Sequence, residues 1–211
     1  MLGELYGGAV ETRMANDLQE VMEWVDGGLD EPATVRDANF QPKRLDTLRS
    51  RNSAAYKGIN VLIQRNGAKD FFWKSTIREL DETDWEECKL DIHHVFPQDW
   101  CAKNGIEPKQ FNSILNKTPV SYKANRMIGG KAPSEYLRQL QTNKSVLLDD
   151  AGMDVILRTH HIDPVFLRSD DYQGFVNSRR QLLIAEISKV MGKPVVDTGE
   201  LVADDEDTDE E

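Results

Sequence analysis

The sequence predicts a mainly α-helical fold with a small embedded ββα unit, which places it in the α+β class. Apolar residues recur at helical spacing through most of the chain, which favours helices. A run rich in Leu, Ile, Val and Phe from Trp85 to Phe96, closed by Pro97, is instead typical of a strand. A hydrophobic share of 39% in 211 residues is sufficient to bury a core.

The first predicted helix covers residues 9–25. Its apolar positions lie at helical spacing, and Gly27 and Gly28 end it. The apolar positions of this helix are Val10, Met14, Leu18, Val21, Met22 and Val25. Residues 27–42, with two prolines, predict a linker, and a second helical region follows from about Arg44 to Gln64. The aromatic residues 71–73 predict a core cluster beside it. We expect these elements to serve packing.

Several short elements follow the predicted strand. Residues 107–115 favour a short helix, and 117–121 a strand or turn. Residues 121–128 favour a helix that Ser121 caps and Gly129 ends, and Pro133 opens another helix. The longest helix is predicted from about Asp171 to Met191. Its expected buried stripe consists of Phe175, Leu182, Leu183, Ile187 and Val190.

Charge is distributed unevenly along the chain. Residues 197–211 contain nine acids and no base, so the net charge of −11 leaves only −2 for residues 1–196. Such an acidic run repels itself and is typical of a disordered tail. Residues 109–144 carry seven bases and one acid. This basic stretch either binds phosphates or is a helix face neutralised by acids such as those at 81–87, and the sequence leaves both interpretations open.

The sequence also limits the compartment and the metal chemistry. No apolar run approaches the ~20 residues that cross a bilayer, and the first residues lack a secretory signal, which indicates a cytoplasmic protein without a membrane partner. Cys88 and Cys101 form no CxxC pair, so reduced thiols are expected. A structural zinc held by both cysteines and a histidine is the less favoured alternative.

The candidate site begins with two adjacent histidines, His93 and His94. A divalent cation and a neutral imidazole that activates water are the groups needed to hydrolyse a phosphodiester. Adjacent side chains of a regular strand point to opposite faces, so the pair can cooperate only if the strand ends or bends there. A second pair, His160 and His161, lacks matching ligand spacing and is interpreted as structural.

These residues carry a resemblance to a known family. The segment 91–97, followed by 112–126, resembles the HNH, or ββα-metal, endonucleases. The wider stretch resembles the C-terminal nuclease region of GmrSD-like restriction proteins and of SspE-type defence nucleases. The similar stretches also include Gly67–Phe71, Ile128–Leu137 and Phe175–Ile184. The resemblance covers roughly residues 45–195.

The resemblance implies a role for each matching residue. His94 matches the general base and His93 the first metal ligand. Asn116 matches the middle asparagine, which buttresses the loop and orients the base. Asn125 matches the last metal ligand, where other members use histidine. A neutral amide is a weaker ligand, so magnesium or manganese is expected rather than zinc. DNA phosphates are expected on Lys117, Lys123, Arg126 and Lys131.

The resemblance also implies a domain organisation. We expect an N-terminal helix and linker (1–42), a helical domain (43–196) containing an HNH core at about 85–145, and an acidic tail (197–211). The nucleotide-hydrolysing domain of larger relatives has no match here, so a sensor is expected on an N-terminal extension or a separate chain. The expected function is DNA cleavage in a restriction or phage-defence system. The alternative is a non-catalytic DNA-binding or protein-interaction module.

Overall fold

A computed structural model of the protein describes residues 10–28, 30–72, 90–144, 146–197 and 199. Within these ranges the architecture is mainly helical, with one antiparallel sheet of two strands, in agreement with the α+β class. None of the described helices is long and apolar enough to cross a membrane. The helices are α1 (Val10–Val25), α2 (Ala33–Asp37), α3 (Arg44–Thr47), α4 (Ala54–Arg65), α5 (Gln98–Lys103), α6 (Pro108–Phe111), α7 (Tyr122–Ile128), α8 (Pro133–Thr142), α9 (Asp150–Thr159), α10 (Pro164–Arg168) and α11 (Tyr172–Met191).

The strands are β1 (Leu90–His94) and β2 (Lys117–Ser121), and a 3-10 turn (Ile114–Asn116) precedes β2. The predicted strand from 85 to 96 is therefore shorter at its C-terminal end, because the backbone leaves the sheet after His94. Residues 85–89 lie outside the described residues. The predicted helices at 121–128 and from 133 are confirmed: the Ser121 hydroxyl caps α7, and Gly129 ends it with a φ of +51°.

One prediction in the N-terminal part is wrong, because the expected linker contains α2. The helical region predicted from about Arg44 to Gln64 consists of two helices, α3 and α4. The chain is extended at Leu48, and Ser53 begins α4 by accepting a hydrogen bond of 3.2 Å from the Tyr56 amide. Serine and asparagine at positions 50–53 favour a helix cap over a helix interior, which explains the interruption.

The apolar stripe of α1 also departs from its expected packing role. Leu18 is 73% exposed, Val25 is 70% exposed and Met14 is 59% exposed. The helix contacts α2 through its acidic residues instead, with the Glu20 carboxylate accepting from the Ala33 amide at 2.6 Å. The described part of the chain therefore leaves this amphipathic helix with its apolar face in solvent.

The long C-terminal helix α11 agrees closely with its predicted bounds but not with its predicted stripe. Phe175, Leu183 and Ile187 are buried, whereas Leu182 and Val190 are about 40% exposed. The buried positions follow a spacing of four, and this spacing places Arg179 in the core with no exposed surface. The aromatic cluster is borne out for Phe71, which is buried, while Trp73 lies outside the described residues.

Candidate functional site

The paired strands and α7 form one ββα arrangement that contains the candidate residues. In the antiparallel register His94 lies opposite Lys117 and His93 opposite Thr118, and Asn116 immediately precedes β2. The two histidines and Asn116 therefore meet at one end of the sheet. β2 leads directly into α7, which packs against both strands and carries Asn125.

His94 is a half-buried imidazole at the end of β1. Its Nε2 lies 2.9 Å from the Asn112 Oδ1, and its ring meets the Phe111 ring edge-on at 6.0 Å. Because an amide oxygen only accepts, this contact makes Nε2 the donor and leaves the Nδ1 lone pair available to take a proton. Burial lowers the pKa of His94 to about 4, and the positive charge of Lys117 adds to this effect. At neutral pH the ring is uncharged, as a general base must be.

His93 precedes His94 in β1 and lies beside Asp91, an acid to which the sequence analysis assigned no role. Its Nε2 is buried, has no hydrogen-bond partner among the described residues, and lies 3.7 Å from the Asp91 Oδ2. The other oxygen of Asp91 accepts from Arg51 Nη1 and from the Ile92 amide, both at 2.7 Å. Burial lowers the pKa of His93, so this ring is also neutral and able to ligate.

Asn116 has no exposed surface and ties three backbone groups together. Its Oδ1 accepts from the Phe96 amide at 2.8 Å, and its Nδ2 donates to the carbonyls of Phe96 and Phe111 at 2.9 and 3.0 Å. Its own carbonyl accepts from the Val95 amide at 2.8 Å. The side chain therefore joins the chain that follows His94 to the end of α6, one residue before Asn112.

The basic residues expected on DNA differ in their exposure. Lys123 and Arg126 are exposed on α7, over the rings of Phe72 and Tyr122 respectively, at 5.7 and 5.6 Å from the ring centroids. Lys131 donates to the Met127 carbonyl at 3.0 Å and so satisfies the end of α7. Lys117 is only 3% exposed and lies over the Tyr56 ring, which removes it from the accessible surface. Asn125 is half-buried, and its side chain forms no hydrogen bond with the described residues.

Three flanking segments each support the ββα arrangement from a different side. The buried carboxylate of Asp70 accepts from the Ser121 amide and hydroxyl at 2.7 and 3.0 Å, which fixes the start of α7. The Tyr136 hydroxyl donates to the Val95 carbonyl at 2.9 Å. Arg179 donates to the Leu115 carbonyl at 2.9 Å, beside Asn116. The three segments that carry the wider resemblance therefore converge on the same unit.

The second histidine pair has a structural environment, as expected. His160 has no exposed surface, and its two ring nitrogens each lie 2.7 Å from a partner, the Thr118 hydroxyl and the Lys69 carbonyl. Burial lowers the pKa of His160 to about 3, so the ring is neutral. Both nitrogens are occupied, which leaves no lone pair for a metal.

Cys101 is a buried thiol with a backbone partner. It donates to the Phe96 carbonyl at 3.5 Å, and burial raises its pKa to about 12. Among the described residues, it belongs to no group of three or more histidine, cysteine, aspartate or glutamate side chains that could hold a metal. Cys88 lies outside the described residues.

Four residues near the histidines received no role from the sequence: Arg51, Asp91, Gln98 and Asn112. Gln98 lies 3.5 Å from His94 Nε2, and Arg51 donates to the Ile92 carbonyl at 3.0 Å. A local signal existed for Asp91. Residues i and i+2 of a strand point to the same face, so Asp91 lies on the same face as His93. Arg51 is 40 positions distant in sequence from Asp91, and no local pattern connects the two.

Comparison with known proteins leaves the family open. No protein-family model matches the chain, and neither does any solved structure. The chain is similar to an uncharacterised protein of Methanocaldococcus jannaschii, with 28% identity over 214 residues. The match covers 90% of this chain and 36% of that protein, so the chain spans about a third of the relative's length.

Proposed function

We propose that the protein is a divalent-metal-dependent endonuclease of the HNH, or ββα-metal, class, which hydrolyses DNA phosphodiester bonds. The observation that carries the proposal is the register of the sheet. It puts His94 of β1 opposite Lys117, which follows Asn116 and begins β2, and β2 leads into the helix bearing Asn125. A restriction or phage-defence system, in which this chain is the nuclease part, is the biological setting that the resemblance favours.

His94 is the proposed general base. Its Nε2–H is held by Asn112, so Nδ1 is the atom that takes a proton from the attacking water. The depressed pKa keeps this atom unprotonated at neutral pH. Asn112 is a positioning residue here, because it fixes both the tautomer and the plane of the ring.

The side chains near His93 fit a hard divalent cation. The unsatisfied Nε2 of His93 and the Oδ2 of Asp91 are 3.7 Å apart, within the span of two ligands that each lie ~2.0–2.2 Å from one ion. Asn125 offers an amide oxygen from α7. When bound, the cation would polarise the scissile phosphate and stabilise the leaving oxygen. Arg51 holds the other Asp91 oxygen, and this orients the carboxylate.

Asn116 supports the base rather than the substrate. Its three side-chain hydrogen bonds fix the backbone between His94 and Asn112, the two residues that set the imidazole geometry. Catalytic rates are sensitive to such placement, since a shift of ~1 Å can lower a rate ~10²-fold. We therefore assign Asn116 a positioning role.

The DNA surface is proposed on α7. Lys123 and Arg126 are exposed cations, and Tyr122 between Ser121 and Lys123 is 52% exposed. Exposed cations bind phosphates, and an exposed aromatic ring offers a stacking surface for a base. Lys117 faces the interior beside His94, so its charge acts on the reacting groups rather than on the outer DNA contacts.

A second candidate is a non-catalytic module that retains the ββα shape. One observation favours it: the exposed Lys123 and Arg126 and the half-exposed Tyr122 ring on α7 suit nucleic-acid binding without any metal. Such a protein would bind DNA or another protein through α7 without cleaving DNA.

Relaxation of supercoiled plasmid separates the two candidates. We expect cleavage in magnesium or manganese, none after chelation, and none from His93→Ala prepared in the same way, with His161→Asn as the matched control. Manganese titration by calorimetry should show binding to the wild-type protein and at least tenfold weaker binding to His93→Ala. Plasmid binding without cleavage and without a manganese signal would reject the nuclease in favour of the binding module.

A further inference from the structure

The N-terminal helix α1 presents an apolar face that nothing in the described chain covers. We call Met14, Leu18, Met22 and Val25 the α1 stripe; their side chains are 59%, 73%, 56% and 70% exposed. On the polar side of the helix, by contrast, the side chains of Asp17 and Glu20 are partly buried against α2. The helix is thus attached through its acids, and its apolar residues point outward.

The spacing of this face is that of a helix-pairing seam. Met14, Leu18 and Val25 of the stripe, together with the adjoining Val21, which is 37% exposed, follow intervals of four, three and four residues, as the a and d positions of a heptad do. A contiguous exposed apolar patch on a helix marks an interaction site more often than a free surface. Helices in proteins gain most of their stability from packing of an apolar face. The 16-residue helix α1 has no such packing among the described residues, which indicates a missing partner.

The negative charge around the α1 stripe indicates which kind of partner can bind there. Residues 10–28 contain five acids and one base. Beside the stripe, Trp24 is 42% exposed and forms one wall of a concavity of about 290 Å³. Four acids line that concavity, against one arginine: Glu20, Glu23, Asp30, Glu31 and Arg36. A second copy of α1 or the acidic segment 197–211 would bring like charges together, whereas a basic side chain would be attracted.

We infer that the α1 stripe and the acidic concavity beside it form a docking surface for a basic amphipathic helix of a partner polypeptide. Apolar side chains of that helix pack on the stripe, and a lysine or arginine at its edge enters the concavity next to Trp24. The inference does not depend on the proposed nuclease activity, because none of the residues involved lies in the ββα arrangement.

Binding of designed peptides to the full chain tests the inference. The probe is a fluorescent helix of three heptads with leucine at a and d and lysine at e and g. A second probe carries glutamate in place of lysine, and a third has the lysine peptide's composition in scrambled order. Fluorescence anisotropy at 0.15 M salt should show at least tenfold tighter binding of the lysine helix than of either control peptide.

Two matched variants locate the site. Leu18→Glu should weaken the lysine helix at least tenfold, although it adds an acid that general electrostatic attraction would favour. Val165→Glu makes the same charge change at a residue 65% exposed on α10 and should leave binding unchanged. Unfolding midpoints of both variants should equal that of the wild type, because each residue is exposed.

Several outcomes would overturn the inference. Equal binding of the three peptides, no binding of the lysine helix, or an unchanged affinity in Leu18→Glu would each reject a basic helical partner. Sedimentation velocity supplies a further check: a dimer that Leu18→Glu dissociates would identify a second copy of this chain as the occupant and would also refute the proposal.

Discussion

Removal of the Asn116 side chain should destabilise the protein more than any comparable change at its surface. Asn116→Ala leaves two backbone groups unpaired in the interior, the Phe96 amide and the Phe111 carbonyl, and leaves the Phe96 carbonyl only its weak bond from the Cys101 thiol. An unsatisfied buried group costs about 1–3 kcal/mol, so two such groups should lower the free energy of unfolding by about 2–6 kcal/mol. That is a large part of the ~5–15 kcal/mol that stabilises a typical protein.

The matched control is Asn104→Ala. Asn104 also donates to a backbone carbonyl, that of Trp100 at 2.8 Å, but from an exposed position where water replaces the lost donor. We expect this variant to lose no more than about 1 kcal/mol. Equilibrium unfolding in urea, followed by circular dichroism, measures both values. A loss below about 1 kcal/mol in Asn116→Ala, or a loss equal to that of Asn104→Ala, would show that the asparagine does not support the loop.

The remaining predictions concern pH and charge. Because the pKa of His94 is lowered to about 4, the cleavage rate should fall only as pH drops through that value, and an acid limb near 6.5 in the rate profile would contradict the assignment. Burial lowers the pKa of His160 to about 3 in the folded state, so its contribution to stability is full above pH 6.5 and is lost as pH falls from 6.5 towards 3. In His160→Gln the urea unfolding midpoint should therefore depend less on pH over that range. Lys123→Ala and Arg126→Ala should each reduce the slope of log DNA affinity against log salt by about one unit, whereas Lys57→Ala on α4 should leave the slope unchanged.

The sequence predicted the elements whose signals are local. Ser121 caps the start of α7, Gly129 ends it, and Pro133 begins α8. The long periodic pattern near the C-terminus predicted α11. The sequence did not predict the break inside the helical region at 44–64. There the Ser53 side chain accepts from the Tyr56 amide and caps α4, so a second helix begins.

The candidate site shows the same division. His93 and His94 were found as an adjacent pair, and Asn116 was assigned through the family resemblance; the sheet register places His94 opposite Lys117, which follows Asn116. Arg51 was not found, since its ion pair with Asp91 joins distant segments, whereas Asp91 lies within the motif but was given no role. The burial of Lys117 also escaped prediction, because a lysine in a basic stretch gives no local indication that its strand is enclosed. Long-range burial depends on packing that sequence periodicity does not encode.

The most direct test of the account is the single-turnover rate of plasmid cleavage by His94→Ala in saturating manganese. General-base catalysis typically contributes ~10²–10⁴, so the rate should fall at least ~10²-fold while DNA affinity and the unfolding midpoint stay near their wild-type values. Added imidazole should restore part of the lost rate, because it supplies the missing base. A His94→Ala protein that cleaves at the wild-type rate would contradict the proposed role of His94.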